Sequence, residues 1–384
     1  MDNRKNKKNC NWAVCFSIAS AWFGTHCGSG FATGAQGVSF WTSYGAYALF
    51  LPVISVVIMA VVAYIQWEFC RQYKTYDYRS YANKLFSPYD KIFATIYELL
   101  FIAIMVMGVS SVFAGAGQLI SDLFGFPYEP SVIAVMILVV LLNMFGSKLL
   151  VSASSVLSVI LIAVILIICG MCIGQNIEQF TEVVSGWKTQ GSLGKAVFSG
   201  ILYGSFQCII LGATTNLSGE IATEKETKIS AVLGFLMNGA MMIVLTYMLL
   251  CYYPDINTEQ LPVLTAVSKL QIPILEKVYS IMVFLAFMTT AITCIGAILK
   301  RVENFGENAI TNITARRALY SVLLILICFG IAQFGLLAIV KKGYTAVGYL
   351  GIPFVILPTL IIGTKKIRKS KENVEYESDK DISH

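Results

Sequence analysis

The residues best suited to chemistry lie together in residues 22–37, which read WFGTHCGSGFATGAQG. A histidine, His26, and five glycines interrupt the first long apolar segment there. Free backbone groups and an imidazole inside a membrane can hold an ion, a proton or a small polar solute. Each glycine costs a helix interior about 1 kcal/mol relative to alanine, so the stretch predicts a helix that breaks near Gly24–Gly30. The alternative is close helix packing through pairs such as Gly30 and Gly34.

The composition places these residues in a membrane protein. Of the 384 residues, 57% are hydrophobic and 13% are charged, which is typical of polytopic membrane proteins. Because about 20 apolar residues cross a bilayer, the apolar segments predict an all-α fold with ten transmembrane helices. Between spans 7 and 8, the apolar spacing of Asn257–Pro273 predicts a re-entrant or surface helix. The approximate limits of the spans are 12–38, 44–68, 91–120, 131–148, 150–174, 196–219, 229–251, 273–300, 317–340 and 344–363.

The distribution of basic residues predicts the orientation in the membrane. Of the 28 Lys and Arg residues, 22 fall on the side of the N-terminus and six fall on the other side. Basic residues concentrate in cytoplasmic loops, so both termini are predicted to be cytoplasmic and the chain to lie in the plasma membrane. The net charge of +6 comes from these loops, so it gives no reason to expect a nucleic acid partner.

The spacing of the spans predicts two related halves. Spans 1 and 6 both have a polar middle interrupted by glycine, and spans 3 and 8 are the longest. Five spans followed by five of the same character indicate an inverted repeat, in which helices 1 and 6 are discontinuous and form a solute site. The predicted parts are a cytoplasmic tail at 1–11, a first repeat at 12–174, an extracellular loop at 175–195, a second repeat at 196–363 and a disordered cytoplasmic tail at 364–384.

The interrupted spans also carry a family resemblance. GSGFATGAQ, residues 28–36, resembles the GAGFASGQE stretch of the YkvI-like amino acid permeases. These permeases belong to the amino acid–polyamine–organocation superfamily, whose LeuT-type fold has ten helices in a five-plus-five inverted repeat. The likeness extends over residues 11–363, but only this motif is specific. Where the family pattern ends in an acid, this chain has Gln36 followed by Gly37.

The resemblance implies a secondary transporter of a small neutral amino acid that works by alternating access. In sodium-coupled members of the superfamily, the ion binds between the break in helix 1 and helix 8. Neutral oxygens suit such a hard monovalent cation. The alternative is that hydroxyl groups at this place bond only to their own helix. Carried over to this chain, the sodium ligands are Gly24, Cys27 and Ala286 through their carbonyl groups, and Thr289 and Thr290 through their hydroxyl groups.

The class of solute is inferred from charges that the spans lack. No Asp or Glu lies in the middle of spans 1, 6 or 8, so a cationic solute would have no counter-ion and a neutral zwitterion is expected. Free N–H groups where helix 1 restarts would bind a carboxylate, and a break in helix 6 at residues 203–207 would bind an amino group. The candidate substrate-binding residues are Thr25, His26, Gly28, Ser29, Gly30, Tyr203, Ser205, Phe206 and Gln207.

His26 leaves other mechanisms open. Histidine titrates at about pH 6.5, so proton coupling is an alternative to sodium coupling, and a ring that only hydrogen-bonds a neighbouring helix is a third possibility. The chain could also be an amino-acid-sensing subunit, because the membrane subunits of spore germinant receptors resemble the same superfamily. An enzyme is not expected, since the chain has two histidines and no second catalytic group near His26. No cofactor is predicted; the expected partners are a small solute and the bilayer, and the expected state is a monomer or homodimer.

Overall fold

The computed structural model describes residues 10–143, 147–302 and 311–372. Within these ranges the chain is helical, and one isolated β-bridge joins Gly45 to Thr189. The helices are α1 (Trp12–His26), α2 (Ser29–Ala32), α3 (Ala35–Phe40), α4 (Leu51–Tyr73), α5 (Tyr78–Phe86), α6 (Asp90–Phe124), α7 (Tyr128–Leu141), α8 (Ser147–Gln175), α9 (Ile177–Ser185), α10 (Leu193–Ile210) with a 3₁₀ segment after it (Leu211–Glu220), α11 (Glu224–Leu250), α12 (Pro262–Lys269), α13 (Pro273–Val302), α14 (Ile313–Ala332) and α15 (Leu336–Glu372).

The predicted membrane spans coincide with these helices. Among the residues that the structure describes, seven helices are long and apolar enough to cross a bilayer: α4, α6, α10 with its 3₁₀ segment, α11, α13, α14 and α15. α8 passes the same test together with α9, from which it is bent by 73°. The shorter α7 and the group α1–α3 occupy the two remaining predicted spans. The chain is therefore an all-α, multi-pass membrane protein, as predicted.

Span 1 is broken, which confirms the prediction. α1 ends at His26, Cys27 and Gly28 leave the helix, and α2 is a single turn. Gly34 then adopts a left-handed φ of +82° before α3 begins. A Cβ at Gly34 would also lie 2.9 Å from Cγ2 of Val263, so glycine is needed both for conformation and for space. The chain thus continues as two short helices rather than as one restarted helix.

Span 6 loses its α-helical form later than predicted. The predicted break at residues 203–207 is wrong, because α10 continues through them to Ile210 and only then becomes the 3₁₀ segment. The glycines that suggested the break are packing positions. A Cβ on Gly200 or Gly204 would lie 3.3 Å or 3.1 Å from a carbonyl oxygen of α4. These glycines let α10 approach α4 closely, as small residues spaced by four do in membranes.

Three predicted limits differ from the structure near the helix ends. The predicted loop at 175–195 contains the helix α9. Span 9 was predicted to reach residue 340, but α14 ends at Ala332. Gly335, at a φ of +80°, turns the chain directly into α15, which starts earlier than the predicted limit of 344.

The predicted disordered C-terminal tail is helical in its first part. Residues 364–372 continue α15, contrary to the predicted boundary at 364. The Nζ of Lys366 donates to the carbonyl oxygens of Lys84 at 2.7 Å and Ser87 at 3.2 Å, which fixes this segment against the end of α5. Residues 1–9 and 373–384 of the predicted tails lie outside the described residues.

Helix packing divides the bundle into two groups. α1, α4, α10 and α11 pack on one another, and α6 packs on α7, α13 and α14. The broken segment lies between the groups, since α2 contacts α6 and α13 while α3 contacts α10 and α11. α12, in the segment where a re-entrant or surface helix was predicted, covers one end of the break. There the N–H of Val263 donates to the carbonyl oxygen of Thr33 at 3.0 Å.

Candidate solute-binding site

The break in span 1 is built around His26, the last residue of α1. The residue is buried, with 4% of its surface exposed. Nδ1 lies 2.7 Å from Oδ1 of Asn238 in α11, and Nε2 lies 2.7 Å from the hydroxyl oxygen of Tyr203 in α10. Both ring nitrogens therefore have hydrogen-bond partners, and the imidazole joins spans 1, 6 and 7.

The Tyr203 hydroxyl is the centre of a buried polar cluster. Besides Nε2 of His26, it lies 3.2 Å from Oε1 of Gln36 in α3 and 3.3 Å from Nε2 of Gln207, one turn along α10. Buried polar groups are stable only with such partners, so these bonds hold α1, α3, α10 and α11 in register. We use the term His26 cluster for the five buried side chains of His26, Gln36, Tyr203, Gln207 and Asn238.

Two members of the His26 cluster were not predicted from the sequence. Gln36 stands at the end of the GSGFATGAQ motif, and Asn238 is a lone amide in the apolar middle of span 7. Polar residues inside a membrane span mark packing or functional sites, so the polar side chains of Gln36 and Asn238 could have been recognised as candidates from the sequence. The sequence does not show that they meet, because 202 residues separate them along the chain.

Aromatic rings enclose the His26 cluster. The ring centroid of Phe31 lies 5.1 Å from that of His26, and the centroid of Trp41 lies 4.4 Å from that of Tyr203. Phe206, a predicted substrate residue, is fully buried with its ring 5.0 Å from Tyr203. A wall of this kind lowers the local dielectric constant and strengthens the polar contacts inside it.

Two predicted substrate residues do not face the cluster. Thr25 is exposed, and its hydroxyl donates to the carbonyl oxygen of Ala21 at 2.8 Å. Ser205 is buried, but its hydroxyl donates to the carbonyl oxygen of Gly348 in α15 at 2.7 Å. Both are helical residues one or two positions away from a member of the cluster, and such neighbours point in other directions.

Gly28 and Gly30 bring bare backbone close to two polar side chains. A Cβ on Gly28 would lie 3.8 Å from Oγ1 of Thr290, and a Cβ on Gly30 would lie 2.8 Å from Nε2 of Gln36. Ser29 begins α2, so the predicted N–H donors do stand at the start of a helix. That helix has only four residues, so its dipole adds little to the N–H groups themselves.

The predicted sodium ligands come from both sides of this break. Thr290 of α13 approaches the backbone after α1, and Oγ1 of Thr289 donates to the carbonyl oxygen of Ala286 at 3.0 Å. This is the bond to its own helix that the alternative interpretation predicts, and it leaves lone pairs on the Thr289 oxygen that could accept a further partner. In the part of the chain that the structure describes, no group of three or more His, Cys, Asp or Glu is placed to hold a metal. The remaining predicted ligands are Gly24, in the last turn of α1, and Cys27, just after it.

At the other end of α1, Glu226 of α11 binds the start of the helix. Its carboxylate accepts the N–H of Asn11 at 2.9 Å and the N–H groups of Ala222 and Thr223 at 2.8 Å and 3.2 Å. The thiol of Cys15 donates to the carbonyl oxygen of Glu226 at 3.6 Å. We use the term Glu226 clamp for these contacts, which tie the first turn of span 1 to span 7.

Comparison with known proteins identifies similar structures. No protein-family model matches the sequence, and no curated protein matches it. The inward-facing conformation of Mhp1 has a TM-score of 0.64 at 14% identity, covering 88% of this chain and 73% of Mhp1. A manganese transporter of Eremococcus coleocola has a TM-score of 0.58 at 15% identity, covering 89% and 78%. A Na⁺-coupled sialic acid symporter, in a substrate-bound outward-open state, has a TM-score of 0.55 at 14% identity, covering 89% and 86%.

These similar structures are LeuT-fold transporters, not enzymes, and one of them is sodium-coupled. Identities of 14–15% show a common fold, but they do not show a common family, substrate or coupling ion. The broken first span and the long helices α6 and α13 agree with that fold. The narrower resemblance to YkvI-like permeases stays a prediction. This chain has the LeuT-type fold.

Proposed function

We propose that this protein is a secondary transporter that moves a small neutral amino acid or a related zwitterion across the plasma membrane by alternating access. The observation that carries the proposal is the His26 cluster, a set of buried polar side chains that includes no Asp, Glu, Lys or Arg and lies beside bare backbone at the break in span 1. Discontinuous helices are where transporters of this type bind their solutes. A neutral site suits a solute whose own charges balance, since an unpaired charge is costly to bury.

The break offers different partners to the two ends of a zwitterion. The N–H groups at the start of α2 and the amide of Gln36 can donate hydrogen bonds to a carboxylate. The Tyr203 hydroxyl and the Gln207 carbonyl can accept hydrogen bonds from an ammonium group. Phe206 and Trp41 limit the space around both groups.

Sodium is our first proposal for the coupling ion. The approach of Thr290 to Gly28 supports a site between helices 1 and 8. A proton carried by His26 is the second proposal, and the bond between its Nε2 and the Tyr203 hydroxyl favours it. The two routes differ in the residues on which they depend, so variants separate them.

Uptake into proteoliposomes tests the function. Purified protein is reconstituted, and uptake of radiolabelled neutral amino acids is measured under an imposed sodium gradient and then under an imposed pH gradient. We expect one of the two gradients to drive accumulation, with protein-free liposomes as the control. Binding without uptake under either gradient would contradict transport and support the sensing subunit instead.

A further inference from the structure

A pocket of about 400 Å³ opens beside the short helix α5, where the membrane span α4 ends and the span α6 begins. Pockets of this size hold small ligands in many proteins. The lining comes from the segment after α4, from α5 and the residue after it, and from the first residue of α6. The residues that line the pocket are Thr75, Ser80, Asn83, Lys84, Ser87 and Asp90. None of them belongs to the His26 cluster or to the Glu226 clamp.

The lining contains one positive and one negative side chain, and both are available to a ligand. Among the described residues, neither Lys84 nor Asp90 forms an ion pair. The exposed Lys84 has its Nζ 5.3 Å from the centre of the Tyr73 ring. The Nζ of Lys366 lies 2.7 Å from the carbonyl oxygen of Lys84 and 3.2 Å from that of Ser87. A second positive charge therefore stands at the edge of the pocket.

The other lining residues offer neutral hydrogen-bonding groups. Thr75 is buried, with 8% of its surface exposed, and its hydroxyl lies near the thiol of Cys70 but has no hydrogen-bond partner. A buried hydroxyl without a partner is unfavourable, so a ligand that bonds to it is stabilised. The Ser80 hydroxyl donates to the carboxylate of Asp77, which leaves its oxygen lone pairs available. Asn83 adds an exposed amide.

The pocket lies at the depth where lipid headgroups are expected. α4 ends at Tyr73 and α6 begins at Asp90, so the segment between them leaves the membrane and returns to it. Next to the pocket, Tyr89 is 70% exposed and Ile92 is 66% exposed. Tyrosine is enriched where the hydrocarbon core meets the headgroups. A lipid whose chains lie against α6 can therefore place its headgroup in the pocket, on the side that the basic residues predict to be cytoplasmic.

We propose that this pocket binds the headgroup of phosphatidylethanolamine. Lys84 pairs with the phosphate, and Asp90 accepts hydrogen bonds from the ammonium group. Phosphatidylcholine has the same phosphate, but its quaternary ammonium has no N–H and prefers aromatic rings, which the lining lacks. An anionic headgroup without an amine leaves Asp90 unpaired. Because α4 and α6 belong to different groups of packed helices, the bound lipid links the ends of the two groups.

Native mass spectrometry of the purified full-length protein in detergent counts bound lipids and measures their affinities. The probes are dioleoyl phosphatidylethanolamine, its N-methyl and N,N-dimethyl derivatives, and dioleoyl phosphatidylcholine. We expect the affinity of the first bound lipid to fall along this series, with the largest loss at phosphatidylcholine, which has no N–H left. Equal affinities across the series would overturn the proposal.

Variants of the two charged residues separate the two ends of the headgroup. Asp90→Asn should remove the preference for phosphatidylethanolamine over phosphatidylcholine, because the amide lacks the charge that pairs with the ammonium. Lys84→Gln should weaken both lipids by a similar factor, roughly threefold to tenfold, because both contain the phosphate. Asp90→Ser repeats the measurement where Asp90→Asn does not fold. A preference that survives both Asp90 variants contradicts the assigned contact to the ammonium.

Lys369→Gln is the matched control for Lys84→Gln. Lys369 is equally a basic residue near this end of the spans, but it is exposed on the end of α15 and does not line the pocket. Its loss should leave both the affinity and the lipid preference unchanged. If it weakens binding as much as Lys84→Gln does, the lipid responds to the charge of the whole surface, and the pocket is not its site.

A soluble headgroup shows whether the ligand comes from the bilayer. Glycerophosphoethanolamine has the same phosphate and ammonium groups but no acyl chains. We expect it to bind at least about tenfold more weakly than the lipid, because burial of the chains adds to the affinity. If it binds as tightly as the lipid and depends equally on Lys84 and Asp90, the pocket takes a soluble phosphate ester, and the lipid site is contradicted.

Discussion

Thr290 has the hydroxyl that comes closest to the broken backbone of span 1, 3.8 Å from the place of a Cβ on Gly28. If sodium binds there, Thr290→Ala removes a ligand that nothing else replaces. A hydrogen-bonding group lost from a charged partner costs about 1.5–3 kcal/mol, so the half-saturating sodium concentration should rise by roughly tenfold or more. Thr289→Ala should have a smaller effect, because this hydroxyl also bonds Ala286, and the double variant should abolish the sodium dependence.

Thr293→Ala is the matched control for this prediction. Thr293 lies one turn from Thr289 on α13, is exposed, and donates to the Thr289 carbonyl oxygen at 2.8 Å. Its loss should leave the sodium dependence of uptake unaltered. Sodium dependence that survives in the double variant would remove the proposed ion site.

Gly34 shows how far one residue can determine the shape of the break. Gly34→Ala would place a Cβ on a residue with a φ of +82°, 2.9 Å from Val263. The unfavourable conformation and the contact should together lower the free energy of unfolding by about 1–3 kcal/mol. Thermal unfolding measures this loss. Gly296→Ala in α13, where a Cβ meets nothing within 4 Å, should be neutral or stabilising, and equal effects of the two variants would contradict the argument.

At the scale of elements, glycine-rich helices have two interpretations, and this chain contains both. The glycines of residues 24–30 accompany a break, as the sequence predicted. Gly200 and Gly204 instead accompany a continuous helix, because carbonyl groups of α4 lie next to them. The local sequence cannot distinguish the two cases, since the deciding neighbour belongs to a segment about 150 residues away.

The contacts of the Glu226 clamp should hold the first turn of α1 against α11. Glu226→Ala removes the acceptor of the Asn11 N–H and should let this end of α1 separate from α11 more often. The expected result is faster maleimide labelling of Cys15, which is fully buried when the clamp is closed. Labelling is followed by mass spectrometry of the peptide that contains Cys15.

Glu224→Gln is the control for the clamp. This neighbouring acid binds Lys228 at 2.9 Å and Lys371 at 2.6 Å but makes no bond to α1 in the described part of the chain. Its loss should leave Cys15 labelling at the rate of the unaltered protein. Equal labelling of Cys15 in both variants would show that Glu226 has no special role at this end of span 1.

At the scale of the whole molecule, hydropathy predicts the number of membrane spans and the charges of the loops predict their orientation. In a bilayer, backbone groups that face lipid must be hydrogen-bonded within a helix, so the spans can be counted from apolar length. Their orientation stays a prediction from the basic residues. The contacts between spans cannot be predicted in this way. His26 meets residues 177 and 212 positions away, and nothing local specifies these pairings. For the same reason, the sequence does not show that the hydroxyl groups of Thr25 and Ser205, both candidate substrate-binding residues, donate to backbone carbonyl groups and not to the His26 cluster.

The two groups of packed helices predict which parts of the protein move against each other during transport. In alternating access, the group of α1, α4, α10 and α11 moves against the group of α6, α7, α13 and α14, so a cross-link between groups should stop it. Gly28→Cys with Thr290→Cys joins the groups, because a Cβ on Gly28 lies 3.8 Å from Oγ1 of Thr290. Gly108→Cys with the native Cys294 joins α6 to α13 inside one group, with Cβ 3.3 Å from Sγ. The Cβ atoms of a disulfide lie about 3.5–4.5 Å apart, so both pairs of positions are near enough to be tested as cross-links.

Uptake by the two cross-linked variants is compared before and after reduction. Oxidation should abolish uptake through the pair at Gly28 and Thr290, and reduction should restore it to the rate of the reduced double variant. The pair at Gly108 and Cys294 should transport at one rate in both conditions, because its helices move as one body. If the oxidised Gly28 and Thr290 pair transports as fast as its reduced form, the two groups do not move against each other at the break, and alternating access in this form is excluded.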